Sequence, residues 1–229
     1  MRRDLTRPAA TLLPARADLG IGPDRMLRIQ GYTAPHRVRR AVRVAAENAA
    51  ANVERLLDAQ VRFRRVDVEA CSEGTLRLAG GEILHCAAFE RFLGECPRVV
   101  VFVLTAGARI DSELERLAEA ERLLDMLFVE TAGWLAVEAI TRAFTDHLRA
   151  AAARQGLRIT RRMGPGYTYP SKGGDAEWPL AEQGKLFALL GSDDMPVTML
   201  ESSAMQPKMS RSGVIGLLPS AKSAAATPS

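Results

Sequence analysis

Residues 98–107 read RVVVFVLTAG, and this apolar stretch decides how the rest of the chain must fold. β-branched and aromatic side chains follow one another without a polar interruption, which predicts a central strand buried on both faces. Thr105, Ala106 and Gly107 close the strand. Its apolar centre, VVVFVL at 99–104, is the longest such run in the chain. A membrane helix needs about 20 apolar residues, so no membrane association is expected.

Before this strand, the chain alternates between a helical pattern and two shorter strand patterns. Apolar residues at helical spacing predict a helix from Pro35 to Leu57. The alternation in VRFRRVDVE (61–69) predicts a strand, with a bulge where the pattern slips at Arg64–Arg65. TLRLAGGEIL (75–84) predicts a strand that turns at its Gly-Gly pair, and a short helix is expected over 86–94.

After the central strand, the longest helical pattern runs from about Asp111 to Arg154. Gly133 falls in its middle and is expected to kink or divide it, because glycine is a poor helix former. A further helix is expected over about 180–190, and strands are expected over 157–163, 197–200 and 213–218. Segregated helices and short strands without an internal repeat predict one α+β domain with a small, mainly antiparallel sheet. This domain is expected to span 19–219, between a flexible arm (1–18) and a disordered tail (220–229).

Composition favours an ordinary soluble protein. The 229 residues carry a net charge of +4, but the basic side chains are scattered among acidic ones, so no nucleic-acid partner is expected. Cys71, Cys86 and Cys96 show no CxxC spacing, which argues against a disulfide framework and a zinc site. The three histidines also lack ligand spacing, and no metal is expected. The N-terminus lacks the apolar centre of a secretory signal, so a cytoplasmic location is expected.

The segment RRMGPGYTYP (161–170) carries the first candidate binding chemistry. Pro165 and Gly166 fix a turn with a bare backbone that a ligand can approach closely. The guanidinium of Arg162 suits a bidentate contact with a carboxylate, and Tyr167 offers a ring for stacking. The same residues also fit a rigid surface turn with an incidental arginine, and residue chemistry alone leaves both interpretations open.

The segment LESSAMQPKMSRSG (200–213) mixes a glutamate, turn formers and two methionines, and residue types alone leave it as either a core edge or a site. A hydrolase using Ser202 or Ser203 is not favoured, because no histidine partner is evident. Nucleotide-binding and metalloprotease motifs such as GxGxxG, the Walker loop and HExxH are absent from the sequence.

In their order along the chain, three motifs resemble the activation region of cobalamin-dependent methionine synthase and its smaller stand-alone relatives. They are Arg-x-x-Pro-Gly-Tyr at 162–167, WPLAEQGKLFALL at 178–190 and MLESSAMQPKMSRSGVIG at 199–216. The resemblance is strong over 158–218 and looser over 20–157. It implies a helmet-like α+β domain with a long kinked helix, which binds S-adenosylmethionine and covers a corrinoid.

The resemblance also implies a set of binding residues. Arg162 would hold the carboxylate of S-adenosylmethionine, and Glu201 would face the ligand from a second wall with Met205 packed behind it. The remaining members of the implied site shape the loop, the wall and the following turn: Pro165, Gly166, Tyr167, Ser202, Ser212 and Gly213. On the long helix, Arg142 stands where the family has an acidic residue, and the family's tyrosine pair after the Ser-Gly turn is missing.

The implied function is that of an activation subunit of a split cobalamin-dependent methionine synthase. It would support reductive remethylation of cob(II)alamin with S-adenosylmethionine as methyl donor and would not be a complete enzyme alone. No Asp-x-His-x-x-Gly corrinoid motif is present, so cobalamin would arrive on a corrinoid-binding methyltransferase subunit. An electron donor such as flavodoxin or ferredoxin would be required. The alternative is a reactivator, or a non-catalytic corrinoid-shielding partner, of another corrinoid-dependent methyltransferase.

Overall fold

The central strand predicted from RVVVFVLTAG lies in the interior of an antiparallel sheet. The computed structural model describes residues 19–191 and 194–220, so the expected arm at 1–18 and positions 221–229 of the expected tail lie outside the described residues. The strand, β4, spans Arg98–Thr105, and all of its residues except Arg98 are buried. Both predictions for this stretch, a strand and burial on both faces, are confirmed.

The described part of the chain contains ten strands, six α-helices and two short 3-10 helices. The strands are β1 (Gln60–Ser72), β2 (Thr75–Leu78), β3 (Ile83–His85), β4 (Arg98–Thr105), β5 (Leu157–Met163), β6 (Thr168–Ser171), β7 (Gly174–Glu177), β8 (Thr198–Met199), β9 (Met205–Gln206) and β10 (Ser210–Pro219). The helices are α1 (Pro23–Ile29), α2 (Arg40–Leu56), α3 (Phe89–Leu93), α4 (Arg109–Glu119), α5 (Leu123–Ala153) and α6 (Gln183–Leu190).

The main sheet has six strands in the order β3-β2-β1-β4-β10-β5, and every neighbouring pair is antiparallel. One face packs against α1, α2, α4 and α5, with Phe102, Phe144 and Ile215 among the buried residues. The other face packs against α3, α6 and Trp178, which is fully buried. Two small hairpins, β6–β7 and β8–β9, stand outside this sheet. The expected α+β class and mainly antiparallel sheet are confirmed.

The long helical stretch is divided at a different place from the one predicted. Helix α4 ends at Glu119, the chain turns over 120–122, and α5 then continues through Gly133 without a break. Gly133 serves packing: a Cβ built there would lie 3.0 Å from the Sδ of Met209, which is buried. The missing side chain therefore lets the segment before β10 rest on the helix, and the expected division at Gly133 is wrong.

Two other sequence predictions are corrected in detail. The apparent slip at Arg64–Arg65 is not a bulge, since β1 pairs with β4 in regular register from Gln60 to Asp67. Phe63 packs on the α5 face and Val66 on the opposite face, so the pattern changes because both faces of the sheet are covered. A shift in the β1–β2 register occurs further on, between Val68 and Ala70. The helix expected from Pro35 begins at Arg40, after a separate 3-10 turn and an extended residue.

The cysteines are free thiols, and burial raises the pKa of Cys71 and of Cys96 to about 11.

In the described residues, no group of three or more His, Cys, Asp or Glu side chains is placed to hold a metal ion. None of the described helices combines the length and the apolarity needed to cross a membrane.

Candidate functional site

Two arginines lie on the same face of the sheet, where β5 and β10 run side by side. Arg162 of β5 pairs with Ile215 of β10. Because successive side chains along a strand alternate between faces, Arg211, Gly213 and Ile215 share one face. The side chains of Arg211 and Ile215 both lie on the face of the sheet that α5 covers. The sheet therefore brings Arg162 and Arg211 together beside the long helix.

Arg211 is firmly held by α5. It is only 7% exposed, and its guanidinium donates to Thr141 Oγ1 at 3.1 Å and to Glu138 Oε1 at 2.5 Å. Burial acts to lower the pKa of Arg211, but the hydrogen bond and the charge of Glu138 outweigh it and the pKa is raised. The same hydrogen bond lowers the pKa of Glu138. A buried arginine thus anchors an acidic side chain that is itself half exposed.

Arg162 is held much less completely. Its guanidinium lies 5.3 Å from the ring centre of Tyr167, a cation–π contact. Its Nη1 atom is buried and has no hydrogen-bond partner among the described residues. Burial lowers the pKa of Arg162, and the positive charge of Arg211 lowers it further. Buried donors are normally paired, so this N–H stands out as an unpaired donor in the described part of the chain.

The loop after β5 is fixed by its own hydrogen bonds. The hydroxyl of Tyr169 accepts from Gly164 N–H at 2.6 Å and lies 3.1 Å from the same residue's carbonyl oxygen, to which it donates. Gly166 has a φ of 80° and donates its N–H to the carbonyl of Trp178 at 2.7 Å. That left-handed conformation favours glycine. The loop therefore presents the half-exposed ring of Tyr167 on a rigid support.

Pro165 is buried at the base of this loop. The loop residues predicted from the Arg-x-x-Pro-Gly-Tyr motif therefore do lie around Arg162 in space. Whether any of them contacts a ligand stays a prediction.

The other predicted residues lie in different surroundings. Ser212 faces the opposite side of the sheet and donates its hydroxyl to Gln183 Oε1 at 2.9 Å. Gln183 in turn donates to the carbonyl of Ser203 at 2.7 Å, which fastens the β8–β9 hairpin to α6. Gly213, by contrast, lies within β10 on the same face as Arg211 and pairs with Phe102 of β4. The structure thus separates Ser212 from the Arg162 face by the thickness of the sheet.

The β8–β9 hairpin carries the last three predicted residues. Glu201 and Ser202 are exposed in its turn, and Met205 is partly buried against the core on the α6 side. No described hydrogen bond or ion pair joins Glu201 to Arg162, Arg211 or Glu138. A role for the hairpin as the second wall of a binding cleft stays a prediction.

A groove along α5 continues from the charged residues. It has a volume of about 470 Å³, within the range of small-molecule sites. Its lining comes from α1 and the residue after it and from one side of α5: Arg25, Ile29, Gln30, Leu127, Glu130, Thr131, Trp134, Leu135 and Glu138. Glu138 belongs both to the groove and to the pair with Arg211. We call the groove together with Arg162, Tyr167 and Arg211 the α5 cleft.

Sequence reasoning missed Glu138 and Arg211. The available signal for Glu138 was a lone charge between Val137 and Ala139 on the most apolar stretch of the long helix. Arg211 was marked by its place between two serines at the start of a strand. Glu138 lies one helical turn before Arg142, the position that lacks the acidic residue expected from the resemblance. An acidic side chain is therefore present on the helix, one turn away from the position where the resemblance implies one.

The ionised state of Glu138 should contribute to stability in a pH-dependent way. Its pKa is lowered in the folded chain, so the contribution is present above its ordinary pKa of about 4.3. It is lost as the pH falls through the lowered folded value. We expect the stability advantage of the wild type over Glu138→Gln to be full at pH 7 and to shrink on acidification below pH 4.3. Denaturant titrations of both proteins between pH 2.5 and 7 measure this difference, and a difference independent of pH would contradict the pairing.

Taken together, the elements define an α+β domain with a cleft between its long helix and the end of an antiparallel sheet. Comparison with protein-family models gives no match, and comparison with curated protein sequences gives none either. A solved structure does match: the crystal structure of the MetH reactivation domain bound to AdoHcy. The match has a TM-score of 0.62 and 14% sequence identity, and it covers 92% of this chain and 77% of that chain.

The chain therefore has the fold of the MetH reactivation domain, and the expected resemblance to the activation region is confirmed at the level of fold. The match extends over nearly the whole chain, including the part before residue 158 where the sequence motifs are weak. At 14% identity the match does not transfer a ligand or an activity to this chain.

Proposed function

We propose that this chain binds S-adenosylmethionine, or its product S-adenosylhomocysteine, in the α5 cleft and serves in the reactivation of a cobalamin-dependent methionine synthase. The observation that carries the proposal is the buried Nη1 of Arg162, which has no partner among the described residues. It lies in a domain whose fold is that of the MetH reactivation domain, and that domain was crystallised with AdoHcy.

The residues of the cleft fit the chemistry of this ligand. Its carboxylate needs a donor, and a guanidinium supplies N–H groups in the planar arrangement that a carboxylate matches. Arg211 is already engaged with Glu138 and Thr141, so Arg162 is the arginine that would take the carboxylate. The positive ammonium and sulfonium groups need a negative neighbour, and Glu138 is half exposed on the same side of the helix.

We therefore assign to Glu138 the role that the motif comparison suggested for Glu201. Glu138 is held in place by a buried guanidinium, whereas Glu201 lies exposed in a hairpin turn. An anchored carboxylate loses less side-chain freedom on binding, so it recognises a cation at a smaller entropic cost. S-adenosylmethionine supplies the methyl group when bound, and the protein supplies binding and orientation.

The corrinoid would be brought by a corrinoid-binding methyltransferase subunit, the partner that the family resemblance implies. An electron donor such as flavodoxin or ferredoxin would reduce the inactive cofactor. The partnership can be tested by immobilising a corrinoid protein on a column, applying a defined mixture that contains this chain, and measuring whether the chain is retained. Failure to associate in the presence of S-adenosylmethionine would argue against it.

A complementation assay tests the proposed function. In a strain whose methionine depends on cobalamin, we expect deletion of this protein to abolish growth without methionine. The wild-type gene and an Arg161→Ala variant should restore growth, because Arg161 faces away from the cleft and stacks on Phe92 and Tyr169. Arg162→Ala should fail to restore it. Normal growth of the deletion strain would sink the proposal.

A further inference from the structure

The α5 cleft has an apolar half, apart from Arg162 and Glu138, to which the proposed function assigns the carboxylate and the positive groups of the ligand. Trp134 is 41% exposed, Leu127 is 41% exposed and Ile29 is 56% exposed, and all three line the same groove. Single exposed apolar side chains are common on protein surfaces, whereas a cluster of large ones often marks a binding site. Here the cluster ends at Glu138, so it is continuous with the charged half of the cleft.

The polar lining of this half has a defined orientation. Thr131 donates its single hydroxyl proton to the carbonyl of Leu127 at 2.8 Å. Its oxygen can then only accept, and it accepts from Gln30 Nε2 at 2.6 Å. Because Thr131 Oγ1 must accept, the Gln30 atom that faces it is the amide nitrogen, and this determines the orientation of the amide. The Gln30 Oε1 atom makes no hydrogen bond within the described part of the chain, which leaves it as an acceptor beside the groove.

We propose that Trp134 and Gln30 form the subsite for the aminopurine ring of the nucleoside ligand, an inference that rests on the proposed function above. A planar ring stacks well on an exposed indole. The exocyclic amine of adenine is a donor, and the fixed Oε1 of Gln30 is the matching acceptor. A 6-oxopurine would instead present its own acceptor to that oxygen, so Gln30 would select the amino form.

The dimensions of the helix support the same assignment. Thr131, Trp134 and Glu138 lie on one side of α5, since they are spaced by three and four residues. Thr131 and Glu138 are seven residues apart, which is about 10 Å along a helix axis. This span is comparable with the distance between the purine and the charged end of an extended nucleoside amino acid. One side of a single helix therefore offers both ends of such a ligand a partner.

Titration calorimetry with S-adenosylhomocysteine and its inosyl analogue tests the subsite. The wild type should bind the adenosyl ligand at least about tenfold more tightly, the value of one hydrogen bond with good geometry. Gln30→Leu should weaken the adenosyl ligand about tenfold and leave the inosyl ligand nearly unchanged. Trp134→Ala should weaken both ligands by about tenfold or more, and Trp134→Phe should recover most of the loss because it keeps a ring.

The exposed indole gives a second readout. Ligand binding should change the fluorescence of the wild type through Trp134, whereas Trp134→Phe retains only Trp178, which is fully buried, and should not respond. Leu123→Ala is the matched control, since Leu123 is an exposed apolar residue of the same helix outside the groove. It should bind both ligands like the wild type. Circular dichroism and thermal melting confirm that each variant is folded.

The outcomes separate this inference from the function on which it rests. If the wild type binds neither ligand at millimolar concentration, both the proposed function and the subsite are overturned. If Arg162→Ala abolishes binding while Trp134→Ala and Gln30→Leu bind like the wild type, the function stands and the subsite is overturned. Equal affinity of the wild type for the two ligands would also overturn the role of Gln30.

Discussion

Replacing Arg162 with alanine is expected to weaken S-adenosylmethionine binding by roughly 2–4 kcal/mol, the loss typical of a charge-assisted bidentate contact. The reason lies in the state of its guanidinium. Nη1 is already removed from water and has no acceptor in the described part of the chain. Desolvation of this N–H therefore adds no further free-energy cost when the ligand binds. A carboxylate that reaches it gains the full strength of the contact. Titration calorimetry measures the affinity.

The same substitution should leave the free energy of unfolding unchanged or should increase it. In the folded chain, burial and the nearby charge of Arg211 both lower the pKa of Arg162, so its positive charge is disfavoured relative to the unfolded state. Removing that charge relieves the repulsion. Arg162→Met, which keeps more of the apolar volume, should be at least as stable as the wild type by denaturant titration. Binding sites commonly show this exchange of stability for function.

Arg161→Ala is the matched control for this prediction. Arg161 is the preceding residue on the same strand, and its guanidinium lies 5.0 Å from the ring centre of Phe92 on the other face of the sheet. It changes the net charge by the same amount and should leave the affinity near that of the wild type. If Arg162→Ala binds S-adenosylmethionine as tightly as Arg161→Ala does, Arg162 is not the carboxylate partner. Arg162→Lys should recover only part of the affinity, because an ammonium lacks the planar fork.

The sequence was sufficient for the parts of the fold that depend on local pattern. The run at 99–104 predicted the buried central strand because each of its side chains is apolar and most are β-branched. The expected division at Gly133 does not occur, since the glycine's effect on helix propensity is visible in the sequence but its contact with Met209 is not. The helix is divided at 120–122, where Glu121 has a φ of 53° and no glycine or proline marks the break.

The candidate site shows the same limit more sharply. Arg162 and Tyr167 lie in one short motif, so their proximity could be predicted from the sequence. Arg211 and Glu138 are 73 residues apart and meet only because β10 runs beside α5. Gln30 and Thr131 are 101 residues apart, and the direction of their hydrogen bond depends on a third group. Pairings of this kind follow from the three-dimensional arrangement and cannot be predicted from spacing.

Gly213→Ala is expected to cost about 3 kcal/mol or more of folding stability, although it adds only one methyl group. A Cβ at this position would lie 2.2 Å from the carbonyl oxygen of Met163 and 3.3 Å from Cε1 of Phe102. The first contact is with backbone, which cannot turn aside as a flexible side chain can. Strand β5 would have to move away from β10, and edge-strand hydrogen bonds would be lost. Denaturant titration measures the change.

Gly173→Ala provides the control. Gly173 lies in the turn between β6 and β7, and a Cβ there meets no heavy atom within 4 Å. The same chemical change should therefore alter the free energy of unfolding by less than about 0.5 kcal/mol. If both alanine variants unfold at the denaturant concentration of the wild type, the close approach of β5 and β10 is not fixed by the missing side chain.

The substitution at Gly213 should also weaken ligand binding in the molecules that remain folded. Met163 directly follows Arg162, so a shift of the Met163 carbonyl moves the strand that carries the guanidinium. Arg211 is held by Glu138 and Thr141 and should stay in place. The two arginines would then separate, and the carboxylate partner would leave its position beside the anchored glutamate. Calorimetry under conditions in which Gly213→Ala is fully folded should show reduced affinity, whereas wild-type affinity would mean that β5 adjusts without moving Arg162.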